Sequence, residues 1–99
     1  MSLPSFRQRV HSNISATTSA FQLGEGIYVA RAHATWSAGN IQLQTMAADN
    51  VTWVNVGSSI TADTVTSPMY LPWGSYRWQV TTATGVYVDL DEISLQTSY

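Results

Sequence analysis

The stretch "LPWGSYRWQV", residues 71–80, combines a turn with a strand, and its aromatic residues decide how the chain folds. Pro72 fixes one backbone φ angle and Gly74 is free to adopt a positive one, which predicts a turn between them. After the glycine the pattern alternates, so that Tyr76 and Trp78 would point to one side of a strand and the polar residues to the other. The segment therefore predicts a strand with an aromatic inner face.

Trp73 lies inside this predicted turn, where neither face of the strand would hold it. An exposed tryptophan in a loop is a favoured anchor of protein interfaces. The same ring can instead fold over the end of the domain as a lid, and the sequence favours neither arrangement. Trp73 is therefore a candidate partner-binding residue.

Short alternating segments recur from residue 21 onward, separated by turn signals. The further strand candidates are "IYVARAHATW" (27–36), "IQLQTM" (41–46), "VTWVNV" (51–56) and "VYVDLDEISL" (86–95). Pro68 has no N–H to donate, so the segment around it is expected to be an edge strand or a loop. About six to seven such strands, with no strong helix signal, predict an all-β fold, an antiparallel β-sandwich or a jelly-roll-like barrel.

The register of these segments predicts the core. In "IQLQTM" the pattern indicates a half-buried strand, with Ile41 and Leu43 inward and Gln42 and Gln44 outward. An aromatic side chain buries roughly 150–250 Å², so tryptophans in strand register are expected inside. The residues expected in the core are Trp36, Leu43, Trp53, Tyr76, Trp78, Val88 and Leu90.

Residues 1–20 differ from the rest of the chain and are expected to form an extended N-terminal arm, with the β-sandwich domain at 21–99. The arm is rich in Ser, Asn and Thr, which compete with helical hydrogen bonds. Its apolar residues are too few to offset roughly 1–2 kcal/mol of backbone entropy per residue and hold it on its own domain. It is either a frayed terminus or a segment that orders on a partner. The candidate partner-binding residues of the arm are Phe6, Arg7, Arg9, Val10 and Ile14.

The composition narrows the classes of function. Charged residues make up 10% of the chain, with no lysine, against roughly 25% in an ordinary soluble domain. Such a weakly charged surface suits a protein packed in an assembly, although an ordinary β protein with an unusual surface fits nearly as well. Arg7 and Arg9 give the arm a charge of +2, so the remaining residues carry −4 within the net charge of −2. An acidic body argues against nucleic-acid binding.

Other sites and segments are excluded or not expected. The chain has no cysteine, which excludes disulfides and thiolate metal sites. No stretch approaches the roughly 20 consecutive apolar residues of a membrane span. No apolar run follows the N-terminal arginines, so a signal peptide is not expected.

Few residues suggest catalysis or metal binding. Asp89, Asp91 and Glu92 form the one acidic cluster, which can be imagined as a Ca²⁺ site or as an acid–base pair. The cluster lacks the further oxygen ligands and the glycine spacing of a calcium loop, so a solvated strand face is the simpler interpretation. His11 and His33 are the only histidines, and no nucleophile, phosphate-binding or zinc-protease motif is present. We expect no catalytic residue, no metal, no cofactor and no enzymatic activity.

Four segments together carry a family resemblance: "TWSAGNIQLQ", "VTWVNV", "LPWGSYRWQV" and "GVYVDL". Over roughly residues 26–95 the chain resembles small all-β virion proteins of tailed bacteriophages. The resemblance implies a capsid decoration (cement) protein, made in the host cytoplasm and located in the virion. It implies binding to the major capsid protein, to copies of itself as a homo-oligomer, or to both, with no nucleic acid or membrane partner. The Leu-Pro-x-Gly turn is less aromatic in that family, so Trp73 departs from its pattern and points to a contact of this chain's own.

Two alternatives remain open at this point. A carbohydrate-binding β-sandwich module would use an aromatic platform of Trp73, Tyr70 and Tyr87, and coplanar exposed rings would favour it. A tail, baseplate or fibre adaptor of the same fold would have the same sequence features as a head protein.

Overall fold

The computed structural model describes residues 8–93, and within them the chain forms nine β-strands and no helix. The strands are β1 (Gln8–Ile14), β2 (Phe21–Leu23), β3 (Gly26–Thr35), β4 (Asn40–Met46), β5 (Trp53–Asn55), β6 (Thr64–Val65), β7 (Met69–Leu71), β8 (Gly74–Thr81) and β9 (Thr84–Ile93). All their pairings are antiparallel. The prediction of an all-β antiparallel fold is confirmed.

These strands make two sheets in the described part of the chain. The first sheet has the order β1-β9-β3-β6, with β7 also paired to β3, and the second sheet has the order β2-β8-β4-β5. The strands number nine instead of six or seven because β1 lies in the segment expected to be an arm and because β2, β6 and β7 have only two or three residues each. Strands that short cannot display an alternation of period two in the sequence.

The pairing of the strands is nested along the chain. β1 pairs with β9, β2 with β8, β3 with β6 and β4 with β5. Each of these pairs lies, in sequence, inside the pair before it. The β3–β9 and β4–β8 pairings then join these strand pairs into the two sheets.

Side chains from both sheets meet in one hydrophobic cluster, an arrangement consistent with a β-sandwich. Tyr28 and Ala30 of β3 contribute from the first sheet, and Tyr76 and Trp78 of β8 from the second. Five of the residues expected in the core are buried, as predicted: Leu43, Tyr76, Trp78, Val88 and Leu90.

The other two tryptophans depart from the prediction. Trp36 is half-buried and packs against the edge of the core, where its indole N–H donates to Asp63 Oδ1 at 2.8 Å. Trp53 lies outside the core, because β5 pairs with β4 in a register that places it opposite Met46. Met46 is on the outer face of β4, so Trp53 is on the outer face as well.

Gln42 and Gln44 were expected to face solvent, and that prediction is wrong, since they are only 7% and 6% exposed. Gln42 Nε2 donates to the carbonyl oxygen of Val56 at 3.0 Å. Gln44 Nε2 donates to Asn55 Oδ1 at 3.0 Å, and Gln44 Oε1 accepts from Arg77 Nε at 2.8 Å. Neighbouring chain segments cover this face, and hydrogen bonds satisfy the buried amides.

Part of the predicted arm belongs to the first sheet. Gln8–Ile14 form β1, which pairs with β9, and Ile14 packs against the core. Thr18 N then donates to the carbonyl oxygen of Trp78, and Thr18 Oγ1 accepts from Trp78 N, both at 3.0 Å. The expectation that the arm does not hold to its own domain is therefore wrong from residue 8 onward. The backbone pairing of β1 with β9 holds this segment to the domain, which its few apolar residues were not expected to do.

Candidate interaction surfaces

The turn between β7 and β8 presents Trp73 to solvent. The residue is 76% exposed, which excludes its folding over the end of the domain as a lid. Its neighbours hold the turn in place: Leu71 is buried, and buried Tyr76 donates its phenol hydrogen to the carbonyl oxygen of Pro72 at 2.5 Å. Leu23 of β2 pairs with Gly74 on the other side. The indole is thus a large exposed apolar group on a backbone fixed by the core.

β1 forms one edge of the first sheet and is the longest edge strand in the part of the chain that the structure describes. It has seven residues, whereas the edge strands β2, β5 and β6 have two or three. A long unpaired edge is available for pairing with another chain. Val10 is opposite Asp89 on the outer face and is 58% exposed.

The predicted contact residues of the arm divide into three groups. Phe6 and Arg7 lie outside the described residues. Arg9 and Ile14 contact their own domain, because Arg9 Nη2 donates to the carbonyl oxygen of Gln22 at 3.3 Å and Ile14 packs on the core. Val10 remains exposed on β1 and available to a partner.

A shallow depression of about 510 Å³ lies on the outer face of the first sheet. The His33 and Tyr87 rings stack beside it with centroids 6.3 Å apart, and His33 Nδ1 lies 2.7 Å from Asp63 Oδ2. The hydrogen bonds from His33, then from the Trp36 indole and the Ala34 backbone, lower the pKa of Asp63. The sequence did not connect Asp63 with His33, since 30 residues separate them.

Two acidic residues of β9, Asp89 and Asp91, pair with Arg31 on β3. Arg31 Nη2 lies 2.7 Å from Asp89 Oδ2 and 2.8 Å from Asp91 Oδ2. The two aspartate side chains are 15% and 23% exposed, so the interpretation as a solvated strand face does not hold for them. Their hydrogen bonds and charges raise the pKa of Arg31. Within residues 8–93, no group of three or more His, Asp or Glu side chains is placed to hold a metal ion.

A larger groove of about 610 Å³ lies beneath the segment that connects β5 to β7. Its buried lining residues are Leu43, Ile60 and Trp78, and the connecting segment contributes serine and threonine residues. The sequence around Pro68 predicts an edge strand or a loop, and it predicts no groove. In the segment that connects β5 to β7, hydroxyl residues follow one another without alternation. Such a pattern is typical of a connection that lies over a surface.

Among residues 8–93 there is no helix of the length and apolar character needed to cross a membrane. Comparisons of the chain with protein-family models, with curated proteins and with solved structures find no match.

Proposed function

We propose that the protein is a non-enzymatic structural component of a tailed-bacteriophage virion, of the capsid decoration (cement) type. It binds the major capsid protein and copies of itself. The family resemblance of the strand and turn motifs supplies this role. The observation that supports it best is the exposed Trp73 on a turn fixed by the core.

A fixed, exposed tryptophan has the properties of an interface anchor. Tryptophan is enriched among the few residues that supply most of the free energy of protein association. Because the hydrogen bond from Tyr76 to Pro72 holds the backbone, little further order is lost when the ring docks. Low charge favours the same role, since a surface with few charges is desolvated easily on assembly.

We also assign the fold to the jelly-roll class within this proposal. A jelly roll is a long antiparallel hairpin wrapped into two sheets, with eight strands in two Greek keys, and it is common in viral capsid and lectin domains. The nested pairs β1–β9, β2–β8, β3–β6 and β4–β5 support that assignment. β7 is then an additional short strand beside β3.

The long edge of β1 supports assembly as a second contact. An extended segment of a partner can add to such an edge through backbone hydrogen bonds. Val10, exposed on the outer face beside that edge, adds an apolar contact.

Replacing Trp73 by alanine tests the proposal. We expect the variant to bind purified phage heads at least tenfold more weakly, which is about 1.4 kcal/mol. Its stability should change by less than about 0.5 kcal/mol because the ring is exposed. Val51→Ala is the matched control, since Val51 is equally exposed. Unchanged binding by Trp73→Ala would remove Trp73 from the docking surface.

Purified virions, separated into heads and tails, distinguish the two locations of the protein. If mass spectrometry finds the protein in isolated heads, the decoration role stands. If it is found only in tails or fibres, the same fold serves as an adaptor there, and the decoration role is wrong.

A carbohydrate-binding module is the second candidate, and one observation favours it. The stacked His33 and Tyr87 rings border a depression that also contains Asp89, and such aromatic and acidic groups suit a sugar. Tyr70 does not extend this platform, because it pairs with Ile27 while Tyr87 pairs with His33, six residues further along β3. That separation is about 20 Å at roughly 3.3 Å per residue. Glycan-array binding that is lost in Tyr87→Ala and kept in Trp73→Ala would favour this candidate over the first.

A further inference from the structure

The groove beneath residues 56–69 has the properties of a peptide-binding site. Buried Leu43, Ile60 and Trp78 provide an apolar floor, and six of the other thirteen lining residues are serine or threonine. Its volume of about 610 Å³ lies within the roughly 300–1,000 Å³ of ordinary ligand sites. Among the described residues that line it, the charged one is Asp63.

We infer that this groove binds residues 1–7 of a second copy of the chain. The inference rests on the proposed self-assembly and identifies the contact that provides it. The segment "MSLPSFR" offers Leu3 and Phe6 to the apolar floor. Its one charged side chain, Arg7, complements Asp63 in the groove lining.

The sequence of the segment suits the same site. A proline such as Pro4 restricts the backbone, which lowers the entropy that a segment loses when it binds.

The position of the groove favours a contact between copies. β1, which residues 1–7 precede in the sequence, is at one edge of the first sheet, whereas the groove lies beside β6, at the opposite edge. A contact that joins the β1 edge of one copy to the β6 edge of the next is head-to-tail. Repetition of that contact gives a ring if it closes.

Two full-length variants test the inference by complementation. Phe6→Ser removes the main apolar anchor of the donor, and Thr61→Trp fills the acceptor groove from its exposed wall. Thr84→Trp, on β9 and outside the groove, is the control for adding a tryptophan. The readouts are the molar mass by light scattering and the melting temperature.

We expect each variant alone to self-associate at least tenfold more weakly than the wild type. At concentrations where the wild type is also monomeric, the melting temperatures should be equal, because association with a second copy then no longer stabilises the wild type. An equimolar mixture should form a 1:1 heterodimer, because the Thr61→Trp chain retains its donor and the Phe6→Ser chain retains its groove. A mixture that associates no better than its components overturns the inference. So does a wild-type monomer, which would place residues 1–7 elsewhere or in the groove of their own chain.

The groove contact and the decoration role can fail independently of each other, and the experiments distinguish the two failures. If Phe6→Ser and Thr61→Trp assemble like the wild type while Trp73→Ala loses particle binding, the groove inference is wrong and the decoration role stands. If complementation occurs but the wild type binds no phage particle, the groove contact stands and the decoration role is wrong.

Discussion

Tyr76 and Pro72 are joined by a hydrogen bond across the turn that carries Trp73. The phenol hydroxyl of fully buried Tyr76 donates to the carbonyl oxygen of Pro72, four residues earlier, at 2.5 Å. Buried Tyr28 makes the equivalent bond to the carbonyl oxygen of Gly24 at 2.7 Å. In both places a ring in the core fixes the turn that leads into its own strand, so the core determines the position of an exposed loop.

Removing the hydroxyl in Tyr76→Phe should therefore affect the turn more than the core. We expect a loss of about 1 kcal/mol in the free energy of unfolding, because one hydrogen bond is lost while the ring remains. Particle binding should also weaken, since Trp73 is held less firmly. Chemical denaturation and a binding assay measure the two effects. Tyr87→Phe is the control, because its ring is exposed. Equal losses in both variants would contradict a specific role for the Tyr76 bond.

The tryptophans of the two sheet faces should differ sharply in their contribution to stability. Trp78 is fully buried, so Trp78→Ala should reduce the free energy of unfolding by about 3–5 kcal/mol. Trp53 lies on the outer face with the Arg77 guanidinium 4.6 Å above its ring, so Trp53→Ala should lose about 1 kcal/mol. Denaturant titration of both variants checks the difference. A Trp78→Ala variant that melts within a few degrees of the wild type would mean that our register for β8 is wrong.

The contrast between these two residues shows what alternation can predict. β8 has eight residues and one apolar face, so its pattern alone predicts that Trp78 is buried. β5 has three residues, and the side on which Trp53 lies is set by its pairing with Met46. That register depends on a partner strand, which no local pattern specifies.

The alternation of apolar and polar residues also does not predict which strand faces are covered by neighbouring segments. Gln42 and Gln44 alternate with apolar residues as in a solvated strand, yet neighbouring residues such as Asn55 and Arg77 cover them. The same holds for the candidate surfaces. Trp73 could be singled out from its turn, whereas the groove and the pair of His33 with Asp63 depend on contacts between distant segments.

Calcium should leave the wild-type melting temperature unchanged at millimolar concentration. Arg31 already pairs with Asp89 and Asp91 at 2.7 and 2.8 Å, so a metal ion would have to displace it. An ion that bound the native state would have to stabilise it, which makes thermal melting a direct test. Arg31→Gln is the informative variant, because it leaves two carboxylates together and should be stabilised by added cations. A rise of several degrees in the melting temperature of the wild type would contradict the pairing of Arg31 with the two aspartates.

His11, on the edge strand β1, is expected to make the stability of the fold depend on pH. His11 lies with its ring centroid 5.3 Å from that of Phe21, and its Nδ1 is buried without a partner among residues 8–93. Burial, and then the charge of Arg9, lower the pKa of His11. The folded chain therefore resists a proton that the unfolded chain accepts near pH 6.5.

This difference predicts that stability falls as the pH decreases below about 6.5, because the unfolded state then binds more protons than the folded state. The free energy of unfolding should be lower at pH 5.5 than at pH 7.5. His11→Gln should weaken that dependence, since glutamine keeps polar atoms but does not titrate. His33→Gln, which changes the other histidine, should retain it. Urea titrations at the two pH values measure all three chains. A His11→Gln chain that keeps the full dependence would show that the titration does not belong to the β1 edge.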